Sequence, residues 1–589
     1  MISFSDLKAA REARHHRPIT VLDGAETGHA SSSTAGSGDP SIAEPSSCAC
    51  TRAFNLVSNA AFASTSTSAS ASISTPSSTT PAPPKPTSID PRDTIYTLPP
   101  FLQVRRSEGS GRGIYTTKRI KAGSVLLLST PRVAVLSTSQ LSSTCSGCFL
   151  TPQESALKSG QPVQGIKRCQ ACRATYYCSI ACQRNDWKEH KPECQAHKVL
   201  RGAWEARHSG ENGKLHVGEE KKWVMSEAVR GLGRLIWARK REREVSGKDP
   251  DWWAEIEAME SHVETLPVAE VMRFGREIQI LRQYLSCADA ASGDRPDPAD
   301  MVDYGFTSSG QLLNLISALT INSFTLSSPS LSPIGLAMSP ITALFNHSCR
   351  PNAVVVFPNG GGEMNVVAIS DIEPGQEILT SYIDVSLPRE FRRKELKDRY
   401  GFECDCPLCK TGGSELPVGP DVDEGMELLR KEEEGTLDHT DLDTRRRLSS
   451  IIIPLTRRLS NSSHPVLALL RLQALVLTPP TSFRSHTLAI TSLAQAYSGA
   501  QMVYPPGHPT LGMILAEWGK LLAMESPPEW GETNKVEMMR RLEPAVLVLR
   551  RAGMMLEMGF GAGGGLVGKE VEGLRRGCEG ELQLLRMAQ

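Results

Sequence analysis

Between Cys145 and Cys194 the chain carries four ligand pairs: Cys145-x2-Cys148, Cys169-x2-Cys172, Cys178-x3-Cys182 and His190-x3-Cys194. Eight ligands suffice for two tetrahedral zinc sites, and two closed four-ligand sites leave no open position for catalysis. The metal expected here is therefore structural. Thiolate ligands favour zinc over magnesium or calcium. Each x3 pair sets its ligands one helical turn apart on one face, which predicts a short helix through "CSIACQRNDWKEHKPEC".

A second cluster, Cys404-x-Cys406-x2-Cys409, is one thiolate short of a closed site. Either water fills the fourth position or another part of the chain donates a ligand. Cys349 stands apart from both clusters, inside "NHSCRPN". Cys48 and Cys50 lie in a serine-rich stretch with no other ligands near them and read as two free thiols.

With 589 residues the chain exceeds one core and divides into about three or four domains. Lysine plus arginine number 65, as do aspartate plus glutamate, so no global positive field points to DNA, RNA or an anionic membrane. No basic recognition helix stands out either, which argues against a DNA-binding zinc protein. No apolar run approaches the roughly 20 residues of a membrane span, and the amino terminus lacks the apolar core of a secretory signal. An intracellular protein, in nucleus and cytoplasm and acting as a monomer, is expected. Fifteen cysteines kept reduced there favour metal over disulfides.

From Ser31 to Pro91 the chain is mostly Ser, Thr, Ala and Pro. It cannot bury enough apolar surface to offset its conformational entropy, and disorder is expected. Short apolar runs broken by Gly and Pro begin near Tyr96, the pattern of a strand-rich unit. Helical spacing follows in "WVMSEAVRGLGRLIWARKRE" and "VAEVMRFGREIQILRQYL", and strands return around "NHSCRPN". Past Leu416 the segments "TRRRLSSIIIPLTRRL", "VLALLRLQALVL" and "TLGMILAEWGKLLAM" predict stacked helix pairs without a clean repeat. The run "GFGAGGGLVGK" lacks P-loop spacing and reads as a flexible interhelical turn.

The first cluster, with Tyr177, Gln183 and Trp187, resembles the MYND zinc finger. The motifs "GRGIYTTKRIKAG", "INSFTL", "FNHSCRPN", "GQEILTSYID" and "YGFECDCPLC", in that order, are similar to those of SET-domain protein lysine methyltransferases. A finger inserted between the first two points to the SET-and-MYND family. The resemblance implies an α+β chain: a SET-type β fold with its pseudoknot, an inserted finger, a post-SET zinc module and an all-helical, repeat-like carboxy-terminal domain. It divides the chain into a low-complexity tail over 1–95, a split catalytic domain over 96–410 that holds the finger at 145–194 and a helical insert at 204–290, and helices over 416–589. The gap from Cys148 to Cys169 is longer than usual for the family and reads as an inserted surface loop.

The resemblance also assigns ligands and roles. It groups Cys145, Cys148, Cys178 and Cys182 around one zinc and Cys169, Cys172, His190 and Cys194 around another. It supplies Cys349 as fourth ligand to Cys404, Cys406 and Cys409, for three zinc ions in all. Gly111, Arg112 and Gly113 would line an S-adenosylmethionine pocket, Arg112 through its backbone. Asn322, Asn346 and His347 would offer amide and imidazole groups to the cofactor, and Phe402 would pack on it. Tyr382 matches the active-site tyrosine, next to the cofactor, and Tyr400 a second tyrosine lining the lysine channel. The implied activity is protein lysine N-methylation on histone or non-histone proteins. The competing expectation is a catalytically silent scaffold that binds proline-rich peptides through the finger.

Overall fold

The computed structural model describes residues 94–107, 111–208, 223–290, 296–410, 417–433, 436–524 and 535–587. The serine-rich stretch with Cys48 and Cys50 lies outside the described residues.

Short strands carry the motifs. β1 (Leu102–Ser107) and β2 (Gly111–Thr116) form an antiparallel pair. β3 (Val125–Ser129) and β4 (Val133–Leu136) enter two different sheets. β5 (Lys167–Arg168) pairs with β6 (Tyr176–Tyr177) inside the finger. β7 (Ser323–Ser327) and β8 (Pro333–Met338) complete a sheet of order β4-β8-β7. After β9 (Asn346–His347), the strands β10 (Ala353–Val356) and β11 (Met364–Ala368) stack beside β3 in order β10-β11-β3. β12 (Leu379–Thr380) then runs parallel to β9, with Leu379 opposite Asn346 and Thr380 opposite His347. Parallel neighbours need a crossover, and the β10–β11 hairpin supplies it. "NHSC" and "TSYID" thereby lie side by side.

β11 is buried at every position. Val366 and Ala368 pack with Ile114, Leu126 and Phe345, while Val367 joins the core of the carboxy-terminal helices. An unbroken apolar strand is what burial on both faces requires.

The finger helix spans Ile180–His208, 29 residues, much longer than the spacing suggested. Cys178 sits just before it. Its extra turns pack against the helices Glu227–Ser246 and Val268–Asp289, which explains the length. Residues between Cys148 and Cys169, expected as a loop, contain the helix Pro152–Ser159. Thr151 and Glu154 form its capping box, an N-terminal signal legible in "TPQE".

The carboxy-terminal segments form the helices Pro420–Glu433, Leu442–Arg458, Val466–Val476, Phe483–Val503, Pro509–Ala523, Lys535–Phe560 and Gly565–Met587, each packed on the next. Gly512 and Gly519, two turns apart, let the last helices close up: a Cβ there would lie 2.9 Å from Leu556 and 2.5 Å from Leu549. The glycine-rich turn is docked rather than free, since Leu566 N–H donates to the Pro358 carbonyl at 2.9 Å. No helix among the described residues is long and apolar enough to cross a membrane.

Candidate cofactor pocket and metal centres

The twelve predicted ligands gather in three groups of four: Cys145, Cys148, Cys178 and Cys182; Cys169, Cys172, His190 and Cys194; Cys349, Cys404, Cys406 and Cys409. Ligand atoms within each group lie within 4.8 Å of one another. Sulfurs this close share protons unevenly. A hydrogen bond with Cys145 pulls the Cys182 thiol down to about 2, and bonds with Cys349 pull Cys404 down to about 3. The partners Cys148 and Cys349 are pushed up in exchange, so each group holds a shared proton load that a metal would displace, and the gathered sulfurs suit Zn²⁺, which binds thiolate. Purified protein is expected to carry three zinc ions per chain. Two or fewer by metal analysis, with the cluster cysteines open to a thiol reagent, would overturn that.

Beside the third group a cavity of about 1490 Å³ runs between the strand core and the carboxy-terminal helices. Of the nine residues assigned to cofactor or catalysis, all but Gly113 line it. Gly113 lies behind the wall for a steric reason: a Cβ on it would sit 2.2 Å from Glu377 Oε1 and 2.7 Å from Asn346 Nδ2. Gly111 has φ +68°, a backbone state that favours glycine.

Asn346 Nδ2 donates to the Arg112 carbonyl at 3.0 Å and to Glu377 Oε1 at 2.8 Å. Asn322 Nδ2 donates to the Glu260 carbonyl at 2.9 Å and the Ala318 carbonyl at 2.7 Å. In each amide both hydrogens are committed, so the carbonyl oxygen is the group left for a ligand donor. Reversing either amide would set its oxygen against acceptors.

Arg112 contributes more than backbone. Its side chain is buried, donates to the Ala258 carbonyl and lies 3.6 Å from Glu260 Oε1, placing a cation in the cavity wall. His347 also differs from expectation. Its Nδ1 accepts the Tyr382 backbone N–H at 3.0 Å, so the ring hydrogen belongs on Nε2, 3.3 Å from Cys349 Sγ. Both ring nitrogens are used within the protein, and the ring couples the third metal centre to Tyr382.

Tyr382 packs 5.0 Å from Tyr400, 5.2 Å from His347 and 6.4 Å from Phe402 between ring centroids. Its hydroxyl donates to the Phe345 carbonyl at 2.8 Å, and Tyr400 donates to the Tyr382 carbonyl at 3.3 Å. Burial, then the neighbouring Tyr400, pushes the Tyr382 phenol above its usual range. At neutral pH it is therefore a protonated hydroxyl, suited to hydrogen bonding rather than to proton abstraction.

Glu377 and Glu260 escaped the sequence reading. Glu377 carries a weak signal, one acid within the apolar strand run "EILTSYI"; Glu260 carries none, because its place is set by packing of the helical insert. From the carboxy-terminal helices Leu472, Met513 and Leu521 close the far wall. Tyr504 reaches from there to Asp384, 3.4 Å from hydroxyl to Oδ1.

A SET domain family model matches residues 111–383. The chain is 30% identical over 328 residues to the N-lysine methyltransferase SMYD2-A of Danio rerio, covering 56% of this chain and 64% of that protein. It is 32% identical over 312 residues to SMYD2-B of Danio rerio, 53% of this chain and 61% of that one. To SMYD2 of Homo sapiens it is 30% identical over 306 residues, with 52% and 59% covered. The chain spans about three fifths of the length of these curated relatives. The span matched by the SET model is interrupted by the eight-ligand finger, and over this region the chain is similar to SMYD2 N-lysine methyltransferases.

Proposed function

We propose that the chain is an S-adenosylmethionine-dependent protein-lysine N-methyltransferase. The observation that carries the reading is the position of Tyr382: its backbone is held by His347, its hydroxyl proton is committed to Phe345, and it shares one cavity with the free amide oxygens of Asn322 and Asn346. The relatives are named N-lysine methyltransferases, which supports the same reaction. Bound there, S-adenosylmethionine supplies a methyl group on a sulfonium.

The chain's own part is alignment and exclusion of water. Tyr382, Tyr400 and Phe402 form an aromatic passage, an environment that favours the neutral, nucleophilic lysine amine. With its proton turned to Phe345, the Tyr382 oxygen presents lone pairs to the reacting groups. A cavity of about 1490 Å³ exceeds the roughly 300–1,000 Å³ of a small-molecule site, leaving room for a segment of substrate protein.

A protein substrate with an exposed lysine is the partner proposed. The half-exposed Trp187 on the finger helix supports a second contact with proline-rich peptides. Residence in nucleus and cytoplasm goes with that reading. Transfer of a tritiated methyl group to lysine on a protein array tests the activity. Cofactor binding without transfer to any protein would leave the scaffold reading standing.

Glu377 orients Asn346 in this scheme. Glu377→Ala is expected to weaken binding of S-adenosylhomocysteine about tenfold, the worth of one hydrogen bond to a charged group. Glu377→Gln keeps an acceptor and should lose little. Calorimetry showing equal affinity for all three proteins would remove Glu377 from the site.

A further inference from the structure

A buried charge cluster lies between the finger and the helical insert. His190 turns Nε2 toward the sulfurs, 3.7 Å from Cys172 Sγ, and Nδ1 toward Glu193 Oε2 at 3.3 Å. His190 and Glu193 are both 0% exposed. Arg234, on the helix Glu227–Ser246, grips the same carboxylate oxygen through Nε at 3.0 Å and Nη2 at 2.5 Å. Its Nη1 reaches Asp186 Oδ1 at 2.9 Å, and the Tyr177 hydroxyl donates to Asp186 Oδ2 at 2.7 Å.

Arg230 sits one turn earlier on the same face. It comes within 4.0 Å of Glu193 Oε1 and donates to the Leu136 carbonyl at the end of β4. The same helix rests on the β4–β8 sheet at Gly231, where a Cβ would touch Val133 at 3.2 Å. Two arginines are therefore matched against two carboxylates, one of which holds the histidine ligand. Ion pairs buried this deeply add little net stability over apolar packing, so their value lies in fixing one arrangement.

We infer that Glu193 is the supporting carboxylate of the Cys169–Cys172–His190–Cys194 metal site, and that Arg234 is a positioning residue coupling metal occupancy of the finger to the seating of the helix Glu227–Ser246 on the catalytic core. Glu193 fixes the His190 tautomer with Nε2 free for metal, the usual duty of a carboxylate behind a zinc-bound histidine. Arg234 holds Glu193 in place for that duty. Losing the metal frees His190, slackens Glu193 and Arg234, and loosens the insert. The inference rests on reading this group as a zinc site and is independent of the methyl-transfer reaction.

Zinc release from the full-length protein to a chromophoric chelator tests it. In Arg234→Met and in Glu193→Gln, one of the three zinc equivalents should leave about ten- to a hundredfold faster than in the wild type, the range for lost supporting partners, with the other two unchanged. Arg234→Lys should restore part of the difference, since one ammonium cannot hold Glu193 and Asp186 together. In the wild type, stripping that zinc should speed amide hydrogen exchange across Glu227–Ser246. Glu193→Gln, close to isosteric, carries the test if Arg234→Met does not fold. Unchanged or uniformly faster release overturns the inference, as does helix exchange indifferent to zinc. A wild-type protein holding no zinc at this group overturns it too.

Discussion

Cys349→Ser is expected to cost the protein one of three zinc ions and, with it, most of its S-adenosylmethionine affinity, while both finger zincs stay bound. Cys349 Sγ lies 3.6 Å from Cys409 Sγ and 3.9 Å from Cys404 Sγ, closing a group otherwise supplied by the segment after Tyr400. It is 2% exposed, so water cannot easily replace it. A serine hydroxyl is a much poorer zinc ligand than a thiolate. Structural zinc contributes on the order of 10 kcal/mol to folding of small zinc peptides, and most of that is at stake locally. Three residues upstream, Asn346 faces the cavity; two residues upstream, His347 holds the Tyr382 backbone. Release of the centre therefore unseats both walls of the pocket, including Phe402, whose ring is 5.9 Å from His347. Metal content and cofactor affinity should be measured on one preparation. Full zinc occupancy with wild-type affinity would return Cys349 to an ordinary buried cysteine.

Pair spacing made all eight finger ligands legible, but not which pairs share a metal. That partition depends on the turn of the β5–β6 hairpin, which brings Cys178 back to within 3.3 Å, N to Sγ, of Cys145. Asn346, Tyr382 and Cys349 were recognisable from motifs. The engagement of the His347 ring was not, because it follows from the parallel pairing of β9 and β12, made by residues some thirty positions apart. Glu260 meets Asn322 across a separation of 62 residues, through packing that leaves no local pattern. Leu472 and Met513 show helical spacing and read as ordinary core; that they also face the cavity is a tertiary fact. Residues were thus visible where chemistry demands a type and spacing, and hidden where folding alone sets the contact.

Tyr382→Phe is expected to fold, to bind S-adenosylhomocysteine normally, and to lose turnover by about a hundred- to a thousandfold, the cost of removing one preorganised polar group from a transition state. What the substitution keeps is the ring, packed between Tyr400, His347 and Phe402, and the main-chain N–H that His347 accepts. What it removes is the hydroxyl bond to the Phe345 carbonyl, a stability cost of about 1 kcal/mol. The oxygen proposed to face the reacting groups goes with it. Because burial already holds this phenol above its usual range, the loss should be the same at every pH where the enzyme is active, with no new titration in the rate profile. Tyr400→Phe is the control: its hydroxyl makes a longer, 3.3 Å contact to the Tyr382 carbonyl and should matter less. Single-turnover rates and calorimetry on both variants separate chemistry from binding. Wild-type turnover in Tyr382→Phe would mean that the methyl transfer, if it occurs in this cavity, is organised by another residue; a matching loss of cofactor affinity would make the hydroxyl a structural strut.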